Sequence, residues 1–260
     1  MDSGILVTGG TGALGHHVVW RLLEDEHDVR VFSRHGRPAS DRTPTKWRRG
    51  DLRTGRGLDA ALDGVRAIAH CATTRGRHDV AATRRLVEAA RRAGRPHLVF
   101  VSIVGIDRVP GFPYYRVKRE CERIVEESGL PWTLLRATQF HELVLEMTRA
   151  QRWLPVALAP GGGVSIQPVA AREVGERIAE LVTGAPAGRV PDLGGPEVRE
   201  AAGLVRAVLA ADHRRRAVVP LRLPGRSFRE VRQGALLAPE HAVGRVTFEE
   251  FLAEESRTAA

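Results

Sequence analysis

The stretch Ile5-Leu6-Val7-Thr8-Gly9-Gly10-Thr11-Gly12-Ala13-Leu14-Gly15 decides the fold, because an apolar strand runs through three regularly spaced glycines into a helix. Gly9 permits the tight strand-to-helix turn, Gly12 removes a side chain where a phosphate would approach, and Gly15 lets the helix pack closely on the strand. The backbone of Thr11, Ala13 and Leu14 completes the loop, and the N–H groups of the helix's first turn face an anion. Context carries this reading beyond the glycines themselves. Val18, Val19, Leu22 and Leu23 give the helix an inward face, and Val29-Arg30-Val31-Phe32 supplies a second strand that closes a βαβ unit.

Further strands are expected at 66–70 and 97–102, with a helix over 78–93 between them. Alternating strands and helices predict a parallel, doubly wound α/β sheet. A helix over about 114–128 ends at Gly129, and Pro131-Trp132-Thr133-Leu134-Leu135-Arg136 reads as the next buried strand. Residues 1–136 are therefore expected to form a nucleotide-binding core. From 137 to 260 the pattern loosens, with Pro155, Pro160-Gly161-Gly162-Gly163 and Pro168 breaking a region that holds Trp153. This part is read as a small substrate-side lobe with a mobile loop, joined to the core in one compact unit. Helices are expected at 172–182 and 199–211, and Thr247-Phe248-Glu249-Glu250 reads as a capping box opening a terminal helix.

A chain of 260 residues with 43% hydrophobic content can bury a substantial core. It has no apolar run long enough to span a membrane and no basic segment leading into an apolar signal core, so a cytoplasmic protein is expected. Cys71 and Cys121 form neither a disulfide framework nor a metal-ligand spacing, so packed thiols and no metal are expected. The net charge of +9 comes from arginines scattered along the whole chain rather than gathered in a tract. Arg84, Arg85, Glu88, Arg91 and Arg92, for instance, share one helical face opposite Val80, Val87 and Ala90. That is a solvated face, and no nucleic-acid partner is expected. Lys46 and Lys118 are the only lysines, which makes each worth a question.

The end of the second strand usually selects the dinucleotide, because the adenosine ribose lies there and an acidic residue selects NAD. This chain reads Phe32-Ser33-Arg34-His35-Gly36-Arg37, in which Ser33 and Arg34 offer donors to a 2′-phosphate, so NADP(H) is expected over NAD(H). Asp51, in Gly50-Asp51-Leu52, accepts from an adenine amino group or caps the following helix. Tyr114 and Lys118 stand four apart, on one helical face, where a lysine ammonium would favour the phenolate and make the tyrosine an acid–base group near neutral pH. Thr73, beyond the end of the 66–70 strand, is a candidate contact to phosphate or ribose, whereas His70 and Cys71 read as packing residues.

The glycine motif, Gly50-Asp51-Leu52, Ser102-Ile103-Val104-Gly105, Tyr114-Tyr115-Arg116-Val117-Lys118 and Leu135-Arg136-Ala137-Thr138-Gln139-Phe140 together resemble the atypical short-chain dehydrogenases/reductases of the NmrA-like type. The resemblance runs over essentially the whole chain. It implies a Rossmann-type fold with a small C-terminal substrate lobe, a cofactor loop that includes Asp51 and Leu52, and Lys118 as nicotinamide-ribose contact and base. It also implies that Thr138, Gln139, Phe140 and His141 border the nicotinamide and substrate. In one departure, Ile103 and Val104 occupy the stretch where the wider family places the serine that partners the tyrosine, leaving Ser102 to supply that hydroxyl. The expectation is an NADPH-dependent oxidoreductase of a small apolar or aromatic carbonyl or quinone, as monomer or homodimer. The alternative is a non-catalytic NADP(H)-binding redox sensor. A nucleotide-sugar epimerase is the weaker third reading, against which the short C-terminal region and the incomplete triad argue.

Overall fold

The computed structural model describes residues 4–39 and 41–258. Its first part runs β1 (Gly4–Thr8), α1 (Gly15–Glu24), β2 (Val29–Ser33), β3 (Lys46–Arg49), α2 (Leu58–Leu62), β4 (Val65–His70), α3 (His78–Arg92), β5 (His97–Ile103), α4 (Pro113–Glu126) and β6 (Trp132–Ala137). There follow α5 (His141–Ala150), β7 (Ala157–Pro160), β8 (Ser165–Ile166), α6 (Ala171–Thr183), β9 (Gly188–Arg189), β10 (Arg199–Glu200), α7 (Ala201–Ala211), β11 (Val218–Leu221), α8 (Arg226–Arg232) and α9 (Phe248–Thr258).

One sheet of seven strands has the order β3-β2-β1-β4-β5-β6-β9. The pairings of β1 with β2 and β4, of β2 with β3, of β4 with β5 and of β6 with β9 are parallel. β1 is buried along its whole length, which is why it reads as a continuous apolar run instead of an alternating one. The chain winds outward from β1 through β2 to β3, then returns to β4 and winds the other way. That reversal leaves a crevice at the carboxyl ends of β1 and β4, where this class of sheet binds its ligands. Beside it the core gathers Leu6, Phe32, Leu62, Leu86, Leu98, Phe100 and Leu134, with Cys121 among them as a packed thiol.

The chain divides into two compact units. The first comprises the chain up to Ser102, Pro113–Leu135 and Val174–Val190, the last segment returning because β9 pairs with β6. The second comprises Ile103–Phe112, Arg136–Glu173 and the chain from Pro191. Inside it Val144, Leu145, Leu204, Val208, Phe248, Phe251 and Leu252 bring α5, α7 and α9 together. The capping box forms as expected: Glu250 N–H donates to Thr247 Oγ1 at 3.2 Å and Thr247 N–H donates back to Glu250 Oε2 at 2.8 Å. The region read as irregular holds α5, whose buried face is Val144, Leu145 and Thr148. Among the described residues no helix is long and apolar enough to cross a membrane.

Candidate active site

The glycine loop is built as its sequence demands. Gly9 has φ +73°, and a Cβ there would stand 2.7 Å from the Ala72 backbone. A Cβ on Gly15 would stand 2.2 Å from the Gly9 carbonyl oxygen, so α1 touches the loop backbone to backbone. Gly12 differs: its Cβ would meet only the Gly9 oxygen, at 3.3 Å, and otherwise open space. Thr11, Gly12 and Ala13 are exposed, while Leu14 is buried under the helix start. α1 has no side-chain cap and no acidic residue in its first turn. An open backbone face before an uncapped helix N-terminus fits a dinucleotide pyrophosphate.

At the end of β2, Ser33 is half-buried, its Oγ accepting from His35 N–H at 3.3 Å, and Arg34 just beyond it is exposed. The next residues line a cavity of about 380 Å³ formed by Arg37, Pro38, Ala39, Asp41 and Arg42. Asp41 organises this loop, accepting from Thr43 N–H at 2.9 Å and Trp47 Nε1 at 2.7 Å and pairing with Arg37 at 3.3 Å. Asp51 caps neither α2, whose N-cap is Gly57, nor any other helix. Its Oδ1 instead accepts from Arg53 N–H at 2.8 Å in a tight turn, leaving a second carboxylate oxygen on a half-buried residue. The Leu52 side chain packs against the hydrophobic core, so only its backbone is available to a ligand.

Beyond the end of β4 the first unit assembles a polar cluster. Tyr114, half-buried in the first turn of α4, lies with its hydroxyl 3.2 Å from Thr73 Oγ1. Thr73 Oγ1 donates to Asp79 Oδ2 at 2.5 Å, and Thr74 donates to Asp79 Oδ1 from both its N–H and its hydroxyl, each at 2.7 Å. Lys118 is buried, with Nζ donating to the Val101 carbonyl at 2.6 Å and lying 4.0 Å above the Phe100 ring. Burial pushes its ammonium down from the ordinary value, against the pull of Cys121, Asp79 and Glu122. Burial likewise pushes the Tyr114 phenol up. The expectation that Lys118 holds Tyr114 as phenolate is corrected by these contacts: the lysine Nζ turns to the Val101 carbonyl and the Phe100 ring, and the Tyr114 phenol is shifted up by burial and not down by the lysine. Ser102 is buried, and its hydroxyl has no hydrogen-bond partner among the described residues.

His70 is a packing residue, as read from the sequence. Its Nδ1 meets Thr8 Oγ1 at 2.7 Å and its Nε2 meets Thr83 Oγ1 at 3.3 Å, tying β1, β4 and α3 beneath the glycine loop. Burial pushes its pKa down to about 3, with the Lys118 charge acting in the same direction. Because the folded pKa lies below the unfolded value, His70 favours the fold fully above about pH 6.5 and loses that contribution as pH falls toward about 3. Urea titrations across this window are expected to show stability falling by about 1.4 kcal/mol per pH unit from this residue, with the slope flattened in His70→Asn.

In the second unit, Thr138 is buried, its N–H donating to the Leu193 carbonyl at 3.0 Å and its Oγ1 accepting from Gly195 N–H at 3.3 Å. Gln139 and Phe140 are half-buried, and both Gln139 amide atoms are themselves buried without a hydrogen-bond partner among the described residues. His141 is a correction: it has no exposed surface, bonds Val246 O through Nε2 at 3.0 Å, and packs against Phe248 and Phe251 at 5.4 and 5.2 Å. It holds α5 to α9 and presents nothing to a substrate. Sequence reasoning missed Asp79, whose one signal was an acid in the first turn of the helix after Thr73-Thr74.

Residues 9–171 match the family model described as NAD(P)H-binding. The chain belongs to the NAD(P)H-binding family. This NAD(P)H-binding protein is 32% identical over 196 residues to the (4-alkanoyl-5-oxo-2,5-dihydrofuran-3-yl)methyl phosphate reductase of Streptomyces griseus, spanning 74% of this chain and 68% of the relative. It is 31% identical over 183 residues to the NAD(P)H azoreductase of Xenophilus azovorans, spanning 69% and 63%. Several further relatives are longer proteins of which the chain spans less than half, down to 14%. Among solved structures it resembles the NADPH-dependent quinone oxidoreductase QOR2 of Escherichia coli complexed with NADPH, at TM-score 0.80 and 19% identity, covering 96% of this chain and 99% of that one. The sheet order and glycine loop place this NAD(P)H-binding protein in the Rossmann-type class.

Proposed function

We propose that this protein is an NADPH-dependent reductase of a small apolar or aromatic carbonyl or quinone-type compound. The observation that carries the reading is the open Gly12 face combined with Arg34 exposed just past β2, with no carboxylate in Ser33-Arg34-His35-Gly36-Arg37 to repel a 2′-phosphate. Gly9, Gly12, Gly15 and the first turn of α1 hold the pyrophosphate, Ser33 and Arg34 the adenosine phosphate, and Lys118 the nicotinamide ribose. When bound, the dinucleotide supplies the hydride. Tyr114, kept protonated, passes its hydroxyl proton to the substrate oxygen that reduction leaves negative, and Ser102, on the same unit, supplies a second hydroxyl donor toward that oxygen. Likeness to a quinone oxidoreductase and an azoreductase supports a conjugated, planar acceptor.

The test is a titration of the purified protein with NADPH, NADP⁺, NADH and NAD⁺, alongside Arg34→Ala, followed by dinucleotide oxidation assays with quinones and aromatic carbonyls. Arg34→Ala is expected to weaken NADPH about 10- to 100-fold, the worth of one or two charge-assisted hydrogen bonds, and to leave NADH unchanged. Equal weakening of both would remove the 2′-phosphate assignment.

A second reading, a sensor that binds the dinucleotide without turnover, draws on Ile103 and Val104 standing where the partner serine is usual. It requires preferential binding of one redox form and no turnover with any acceptor.

A further inference from the structure

We propose that Asp79, acting through Thr73, is a positioning residue for Tyr114: by taking the Thr73 proton it leaves Tyr114 able only to donate along this chain, and so keeps the tyrosine a proton donor. The inference rests on the catalytic reading of Tyr114 and follows from where the hydrogens lie. An ionised Asp79 carboxylate has none to give, so the Thr73 hydroxyl, 2.5 Å from Oδ2, must be the donor in that bond. A hydroxyl carries one hydrogen, and Thr73 has spent it. Its oxygen already accepts from Arg75 N–H at 2.9 Å, and toward Tyr114 at 3.2 Å it can only accept again. Thr73 would favour a Tyr114 phenolate only if it had a proton to offer.

The carboxylate's orientation is fixed independently, because the Thr74 N–H and hydroxyl both donate to Oδ1. Asp79 is buried in the first turn of α3, and the groups whose charge reaches Tyr114 besides it are Arg75 in the preceding loop and Cys121 on α4. Burial, foremost, and the Asp79 charge push the phenol up, whereas a hydrogen bond given by Thr73 and the Arg75 charge pull it down; a Thr73 hydroxyl whose hydrogen lies on Asp79 has none to give, which removes the larger of those two opposing pulls. An acid that stays protonated through neutral pH suits a site that delivers a proton to a reduced oxygen.

Asp79→Asn reverses the chain with almost no change of shape. The Thr74 N–H cannot turn round, so the amide oxygen must stay toward Thr74 and the NH₂ must face Thr73. Thr73 then accepts from Asn and swings its own hydrogen to Tyr114, which favours the phenolate. The chain has two tyrosines, Tyr114 and Tyr115, so in a Tyr115→Phe background the tyrosinate absorbance reports Tyr114 alone. The expected result is a Tyr114 midpoint at least about one pH unit lower in Asp79→Asn, a tenfold shift in its ionisation equilibrium. Adding Thr73→Val should abolish most of that shift. An unchanged midpoint, or the same shift with and without the Thr73 hydroxyl, overturns the proposal, the latter by showing that only the distant charge matters.

A measurement on the unsubstituted aspartate covers the case in which Asp79→Asn does not fold. With Asp79 intact, Thr73→Val in the Tyr115→Phe background should leave the Tyr114 midpoint unchanged or lower it, because an accepting hydroxyl favours only the protonated phenol. A midpoint raised by about one pH unit, the mark of a hydroxyl that had been donating to the phenolate, would equally overturn the proposal. None of these readouts needs turnover, so loss of the catalytic reading and loss of this one are told apart.

Discussion

Gly12→Val is expected to abolish dinucleotide binding in a protein that still folds, whereas Gly15→Ala is expected to damage the fold itself. The two glycines lie three residues apart in one motif, but their surroundings differ. A Cβ on Gly12 reaches one atom within contact range, the Gly9 oxygen at 3.3 Å, and the rest of a valine enters open space. That open space is where the pyrophosphate would lie, so the branched side chain and the ligand compete for one volume. Affinity for NADPH should fall by at least about 100-fold, equivalent to about 2.7 kcal/mol, with the melting temperature nearly unchanged. A Cβ on Gly15 would be 2.2 Å from the Gly9 oxygen and 2.6 Å from its carbonyl carbon, both backbone atoms that move only if α1 shifts off β1. The cost is that of overpacking against a rigid neighbour, about 1–3 kcal/mol or more, read as a lower denaturation midpoint. NADPH affinity that survives Gly12→Val would place the pyrophosphate elsewhere. Matched stabilities of the two variants would show that the close helix–strand approach has been misread.

That contrast marks what a sequence of this kind discloses. β1, β4, β5 and β6 were legible because strands covered on both faces carry mostly apolar runs, and the glycines because only that residue permits the turn and the approach. β3, reading Lys46-Trp47-Arg48-Arg49, was not: it is an edge strand held by its pairing with β2, largely exposed, and carries the charges that keep an edge from pairing further. Tyr114 and Lys118 were legible as a pair by spacing, but spacing cannot say which way a buried ammonium turns, and Val101 O took it. Asp79 escaped notice because its meaning depends on Thr73 meeting a tyrosine 41 residues further on. His141 was misassigned for the same reason: its neighbours are decided by Val246, Phe248 and Phe251, more than a hundred residues along the chain.

Tyr114→Phe is expected to lower turnover by about 10²- to 10⁴-fold, the usual worth of a positioned general acid, while dinucleotide affinity and stability stay close to those of the parent. The ring is retained, so its packing beside Tyr115 at 6.4 Å is kept, and only the hydroxyl is lost. Thr73 does not become an orphan, because it still donates to Asp79 and accepts from Arg75. The stability change should therefore be within about 1 kcal/mol, that of one modest hydrogen bond. Lys118→Met makes the useful comparison. It fills nearly the same volume but removes the donor to Val101 O and the charge above Phe100, so the half-buried Val101 carbonyl loses that donor and turnover and stability should fall together. If Tyr114→Phe instead turned over every accepted substrate at the parent rate, the proton would have to come from another group. The acid would then be sought at Ser102, whose buried hydroxyl is otherwise unpartnered among the described residues, and Ser102→Ala would be expected to show the loss that Tyr114→Phe did not.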